Sequence, residues 1–227
     1  MTVHFQRELG RLKKRILSLS ALVEQRVRQA VKSVEEGDEQ LARQVIDGDD
    51  QIDQEEVEIE EDCLKILALH QPVAVDLRFI VAVLKINNDL ERIGDLAVNI
   101  AERAVYLTTS DMPEMLFDFP GMAAKGHAML RNSLDALVNL DPRLARRVCA
   151  SDDEVDAINR QMYDQVKEEI RNRPECLESL IHLLSISRHI ERIADLATNI
   201  AEDVIYMVEG EIVRHRAEDY GSQNKGG

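Results

Sequence analysis

The stretch Glu91-Arg92-Ile93-Gly94-Asp95-Leu96-Ala97-Val98-Asn99-Ile100-Ala101-Glu102 returns one hundred residues later. There it reads Glu191-Arg192-Ile193-Ala194-Asp195-Leu196-Ala197-Thr198-Asn199-Ile200-Ala201-Glu202. Ten of the twelve positions are identical, and self-similarity at a fixed offset marks an internal duplication. In both copies apolar residues recur three and four apart (Leu90, Ile93, Ala97, Ile100; Ile190, Ile193, Ala197, Ile200), which is a helix period. Beside them runs a polar stripe of Glu91, Asp95, Asn99 and Glu102, repeated in the second copy. A buried core accounts for the first stripe and leaves the second unexplained.

Upstream of the first copy, the spacing predicts a helix over residues 4–36, with Phe5, Leu9, Leu12, Ile16, Leu19, Val23, Val27 and Val31 on one face and Gly37 at its end. Asp38 is a suitable N-cap for a second helix running to about Leu69. His70-Gln71-Pro72 breaks that helix, and a third helix from Val73 or Asp76 to Leu107 carries the opening motif. The best linker is Thr108 to Gly121, with Pro113, Pro120 and Gly121. The second half repeats the plan. Helices span about Met122 to Leu140, Asp141-Pro142 to Asn172, and Glu175 to Glu209, with a break at Arg173-Pro174. Asp141, Leu144, Ala145, Arg146 and Val148 stand 103 positions after Asp38, Leu41, Ala42, Arg43 and Val45. The expected fold is all-α: two tandem three-helix bundles over 1–110 and 111–219, with a disordered tail over 220–227. Helices of about 30 residues would be about 45 Å long.

Composition fits this plan. Aromatics make up 4% of the chain and tryptophan is absent, so the core must be built from Leu, Ile, Val and Ala. A formal charge of −15 argues against nucleic acid, whose phosphates select Lys and Arg, and suits cations or a basic protein surface. Cys63, Cys149 and Cys176 lie far apart with no C-x-x-C, so neither a disulfide framework nor a zinc site is indicated. The uncharged run Ile16 to Val23 is short and followed by Glu24, unlike a signal peptide. No run approaches a membrane span. A cytoplasmic protein is expected.

The polar stripe has a counterpart on the preceding helix. Asp49 and Asp53 lie four apart in the first half, and Asp152 and Asp156, 103 positions on, lie four apart in the second. In a straight antiparallel pair, residues at equal height have position numbers with a constant total. Asp53 with Glu91 and Asp49 with Asp95 both total 144, centring the hairpin on Pro72. Asp156 with Glu191 and Asp152 with Asp195 both total 347, centring it between Arg173 and Pro174. Both centres coincide with breaks found from proline alone. Each half is therefore expected to hold four facing carboxylates, within roughly 4–8 Å of one another if they share a cation. Charges facing across about 4 Å repel by about 4 kcal/mol at an effective dielectric of 20, and a cation reverses the sign. All-oxygen ligation suits Mg²⁺, Ca²⁺, Mn²⁺ or iron. Because these acids lie off the apolar seam, the site should be at the surface. The bland alternative pairs them with Arg92, Arg192 or other bases as ordinary salt bridges.

With Gln71-Pro72-Val73-Ala74-Val75-Asp76-Leu77-Arg78, Asn88-Asp89-Leu90-Glu91-Arg92-Ile93-Gly94-Asp95 and the second E-R-I-x-D at Glu191, the chain resembles the PhoU family of phosphate-uptake regulators over residues 3 to 216. The resemblance implies two three-helix bundles and multinuclear metal clusters held by paired E/D-x-x-x-D motifs. On this sequence those are Asp49, Asp53, Glu91 and Asp95, and Asp152, Asp156, Glu191 and Asp195, with iron, Mn, Mg or Zn as the ion. It further implies a homodimeric negative regulator of phosphate uptake. Its partners would be the ATPase subunit of the phosphate ABC transporter and a phosphate sensor histidine kinase, with the membrane reached only through them. One departure is His189, where the first half has Asp89.

Other features read blandly. Asp76 and Arg78 fit an N-cap with a counter-charge. Arg11, Lys13, Lys14 and Arg15, and Arg143, Arg146 and Arg147, read as solvated faces. The ten acids from Asp47 to Asp62 would by themselves be a solvated face. His127, His182 and His215 show no partner pattern. Two rival functions stand beside the regulator: a di-iron carboxylate bundle enzyme, and an adaptor whose acids only solubilise it. The enzyme class uses Glu-x-x-His motifs facing the bundle interior, and none of the six histidines has a Glu three residues before it.

Overall fold

The structure is a computed structural model that describes residues 3–109 and 118–212. The expected domain boundary at 110/111, most of the linker and the tail 220–227 lie outside those residues. Among the described residues eight α-helices and a single 3₁₀ turn follow in order, with no strand. The helices are α1 (Val3–Glu36), α2 (Glu39–Ile46), α3 (Asp50–His70), α4 (Ala74–Thr108), α5 (Phe119–Asn139), α6 (Pro142–Cys149), α7 (Asp152–Asn172) and α8 (Leu177–Glu209).

The capping residues act as their chemistry dictates. Gly37 takes φ +63° between α1 and α2, a backbone state that costs glycine nothing. Asp38 then accepts a hydrogen bond from the Leu41 amide at 2.9 Å, and Asp141 accepts from Arg143 and Leu144 at 2.9 and 3.1 Å. Helix α5 starts three residues earlier than expected. Asp118 caps it through the Gly121 amide, and Pro120 fits in its first turn, where the missing N–H is not needed. Asp76 is no N-cap, because α4 begins at Ala74; it sits in the first turn, where a negative charge faces the helix dipole favourably.

The expected second helix of each half is divided in two. After α2 the ladder tightens to three-residue bonds at Gly48 and Asp49 (Gly48 N–H to Val45, Asp49 N–H to Ile46). After α6 the Ser151 amide bonds Val148 in the same way. Both interruptions fall at the acidic pair, so Asp49 stands at the entrance of α3 and Asp152 opens α7.

Helices α1–α4 form one bundle and α5–α8 the other, and their apolar seams merge into one continuous core. The seam is a spine of α4 packed on α8. Lys85 pairs with the buried Asp203 at 3.0 Å, and Tyr106 stacks on His182 at 3.9 Å. Both pairs total 288, so the two motif-bearing helices run antiparallel. Helices α3 and α7 lie on the outside, against α1 and α4 and against α5 and α8 respectively.

One base in each group expected to be a solvated face is engaged instead, while Arg11, Lys14, Arg143 and Arg147 are exposed as expected. Arg15, on α1, reaches across to α3 and binds Asp62 at 3.1 Å, Glu55 at 3.1 Å and Glu58. Those carboxylates hold its guanidinium above its ordinary value against the cost of burial. Part of the acidic run is thus the partner surface for α1. Arg146 binds Glu209 through both of its terminal nitrogens, tying α6 to the end of α8.

Candidate carboxylate centre

Two hydrogen bonds set the register of the hairpins that carry the acids. Asn87 donates to the Glu56 carbonyl at 2.9 Å, and Ser187 donates to Asn159 Oδ1 at 3.1 Å. These pairs occupy equivalent positions in the two halves. Their position numbers total 143 and 346, one short of the totals expected for the carboxylates. The acids of each half therefore meet at one level, in the groove between α3 and α4 and in the groove between α7 and α8.

In the first groove Asp49 and Glu91 are half-buried, and Asp53 and Asp95 are exposed. Their ionisation reports their proximity. Burial, then repulsion from Asp53, Asp95 and Asp50, raises the Asp49 carboxyl above its ordinary value, with Arg26 opposing. Burial followed by Asp95, Asp53, Glu56 and Asp49 raises Glu91. Burial and Asp53 raise Asp95. Asp49 Oδ1 lies 3.8 Å from the point where a Cβ on Gly94 would stand, so this carboxylate sits directly against α4 beside Asp95.

The second groove repeats the set with more shielding. Asp152 is pushed up to about 6 by burial, then by Asp195 and Asp156, despite a hydrogen bond from Thr198 at 3.4 Å. Burial, Glu191 and Asp156 raise Asp195, and burial and Asp156 raise Glu191. Cations are nearer here. Arg160 approaches Asp156 at 3.8 Å, and Arg188 and Arg192 restrain the rise at Glu191.

The salt-bridge alternative therefore differs between the halves. Arg92 pairs with Asp89 at 3.7 Å rather than with Glu91 or Asp95, whereas Asp156 has Arg160. Asn99, the next residue of the polar stripe, donates to the Asp95 carbonyl of its own helix and stands outside the quartet. His189 is held neutral, down at about 4, by burial and by Arg103, Arg192 and Arg188. Asp89, the residue at this place in the first half, pairs with Arg92 instead.

The donor set fits a hard cation. Each quartet is all carboxylate oxygen, on two facing helices, at the surface and outside the core, with ionisation opposed by like charge. The quartets are open: among the described residues, the group of three donors drawn within 4.8 Å of one another is a different one, His4, Glu8 and His70. Sequence reasoning missed it because 62 positions separate His70 from Glu8, and only the His4/Glu8 spacing of four is visible in the chain.

Known proteins carry the same plan throughout. The profile of the PhoU domain matches residues 16–104 and again 119–204. The chain is 36% identical over 224 residues to the "Phosphate-specific transport system accessory protein PhoU homolog 1" of Thermotoga maritima, covering 97% of each chain. It is 38% identical over 210 residues to the corresponding homolog of Aquifex aeolicus, covering 92% of this chain and 95% of that one. The crystal structure of PhoU from Pseudomonas aeruginosa superposes with a TM-score of 0.88 at 36% identity, over 91% of this chain and 100% of that one. The phosphate transport system regulatory protein PhoU from Streptococcus pneumoniae gives 0.81 at 29% identity, over 92% and 99%.

Proposed function

The chain belongs to the PhoU family, and on that premise we propose that it is a negative regulator of phosphate uptake and of phosphate-regulon signalling. It acts in the cytoplasm by contact with the ATPase subunit of a phosphate ABC transporter and with a phosphate sensor histidine kinase. The observation that carries this reading is the match over nearly the whole chain, in both halves, to proteins named as accessories of the phosphate-specific transport system. The charge and surface chemistry support it. A chain of net charge −15 with no described helix long and apolar enough to cross a membrane would reach a transporter through protein contacts.

The metal reading belongs to the same proposal. Asp49, Asp53, Glu91 and Asp95 would hold one centre, and Asp152, Asp156, Glu191 and Asp195 the other. A bound cation would supply positive charge on an otherwise acidic surface. The protein's own contribution is to set the carboxylates at one level on paired helices and to desolvate Asp49 and Asp152 beside the helix breaks. Acids facing a solvent groove do not suit the di-iron bundle enzyme, whose ligands face the interior, and no catalytic role is proposed.

Deleting the gene in its host tests the function. Phosphate-starvation genes should switch on in phosphate-rich medium, and the purified protein should be retained by the transporter–kinase assembly. Genes that stay repressed, together with no retention by either partner, would overturn the assignment and leave the fold untouched.

A further inference from the structure

At the far end of the first bundle from its quartet, three side chains converge that the regulatory reading does not use. His4 and Glu8 lie one turn apart on α1, and so on one face. His70 is the last residue of α3. Glu8 Oε2 is 2.6 Å from His70 Nε2, and Glu8 Oε1 is 3.4 Å from His4 Nε2. The imidazoles meet edge to face at 5.8 Å between ring centroids. One donor atom from each residue lies within 4.8 Å of the other two.

We propose that His4, Glu8 and His70 form a binding site for a single transition-metal ion of the Zn²⁺ class, chemically distinct from the carboxylate quartets. Two imidazole nitrogens with one carboxylate oxygen suit Zn²⁺, Ni²⁺ or Cu²⁺ and disfavour Mg²⁺ and Mn²⁺. Tetrahedral bonds of about 2.0–2.1 Å put ligand atoms about 3.3 Å apart, so shifts of about an ångström convert the present spacing into coordination. The fourth position is left to water. Two of the three ligands are already held. Glu8 and His70 are only 16% and 17% exposed, and the Phe5 ring packs on His70 at 5.1 Å. Among the described residues a competing cation is Lys65, 3.8 Å from Glu8 on a side chain 59% exposed. A surface pair of that kind contributes little and separates easily. An ion here would clip the first turn of α1 to the end of α3. At 1.5 Å per residue along α3 it lies about 25 Å from Asp53, so the two sites should bind independently.

The test is calorimetric titration of the full chain with Zn²⁺ in a large excess of Mg²⁺, which competes for the carboxylate grooves. The expected result is one Zn²⁺ equivalent in the wild type that falls at least tenfold in affinity in both His4→Ala and His70→Ala. The same equivalent should persist in the Asp95→Asn/Asp195→Asn double variant. His4 is exposed, so its variant should melt like the wild type in EDTA and report binding alone. Zn²⁺ uptake that is the same in wild type and His4→Ala, or that disappears with Asp95→Asn/Asp195→Asn, would overturn the site. Absence of any uptake by the wild type in Mg²⁺ would do so as well.

Discussion

The two acidic grooves are duplicates in sequence and unequal in physics. The first holds its carboxylates in a more open setting, with Arg26 opposing the rise at Asp49 and Arg92 engaged by Asp89. The second buries Asp152 more deeply, raising it to about 6, and gathers Arg160, Arg188 and Arg192 around its rim. Duplication preserved the quartet while its surroundings diverged. Repulsion among the four acids is the shared property, and the counter-charge around them is the variable one.

A compensating change lies beneath the acids. Gly94 lies so close to α3 that an added Cβ would stand 3.0 Å from Ile52 Cδ1. In the second half the equivalent residues are Ala194 and Val155, both buried. One methyl has moved from the α3 side to the α4 side, and the summed volume is conserved, the kind of core exchange that costs least. The acids keep their spacing because the helices beneath them do.

The largest expected difference is in metal response. A saturating divalent ion binding only the folded state stabilises by about 2.7 kcal/mol at one hundred times its Kd, or roughly 5–10 °C in Tm for a chain of this size. Differential scanning fluorimetry in EDTA against Mg²⁺, Mn²⁺ or iron should show that rise, with Asp95→Asn and Asp195→Asn each removing part of it. The open first groove should contribute the larger part. Equal melting in EDTA and in every ion would reduce both grooves to solvated surface.

Next in size is the pH response of the second groove in EDTA. The folded-state value of Asp152 is raised from 3.8 to about 6. Its contribution is therefore favourable below about pH 4 and lost as pH rises through 6. Asp152→Asn, which keeps an oxygen for Thr198, should stabilise the protein at pH 7 by about 1–2 kcal/mol after allowance for solvent screening. Urea unfolding should show that gain shrinking towards zero at pH 4. A gain independent of pH would mean that the shift belongs to another group. Asp49→Asn should show the same sign with a smaller amplitude.

The smallest effect concerns the methyl exchange. Gly94→Ala gains about 0.5–1 kcal/mol of helix propensity and loses about 1–3 kcal/mol to overpacking against Ile52, for a net loss of about 1 kcal/mol. Adding Ile52→Val should recover most of it, a coupling that a double-mutant cycle reads directly. Additive effects would show that the two positions do not share space.

The sequence by itself determined the helical class, the duplication, the hairpin centres at Pro72 and Arg173-Pro174, and the level at which the acids meet. These follow from local rules: a helix period, proline's missing donor, and the fixed rise that makes antiparallel totals constant. Tertiary structure decided that the turn dipeptide Asp47-Gly48 would break the helix at Gly48-Asp49, although the apolar spacing Val45, Ile52, Ile59 runs straight through it, and that the equivalent break would fall at Ala150-Ser151. Structure also decided that Arg15 serves as an ion-pair hub for α3 and that the bundles share the α4–α8 spine. The unequal shielding of the quartets, and the meeting of His4 and Glu8 with His70, were likewise decided there. Charge and ligation depend on what faces a side chain across space, and a linear pattern records only what lies along its own helix.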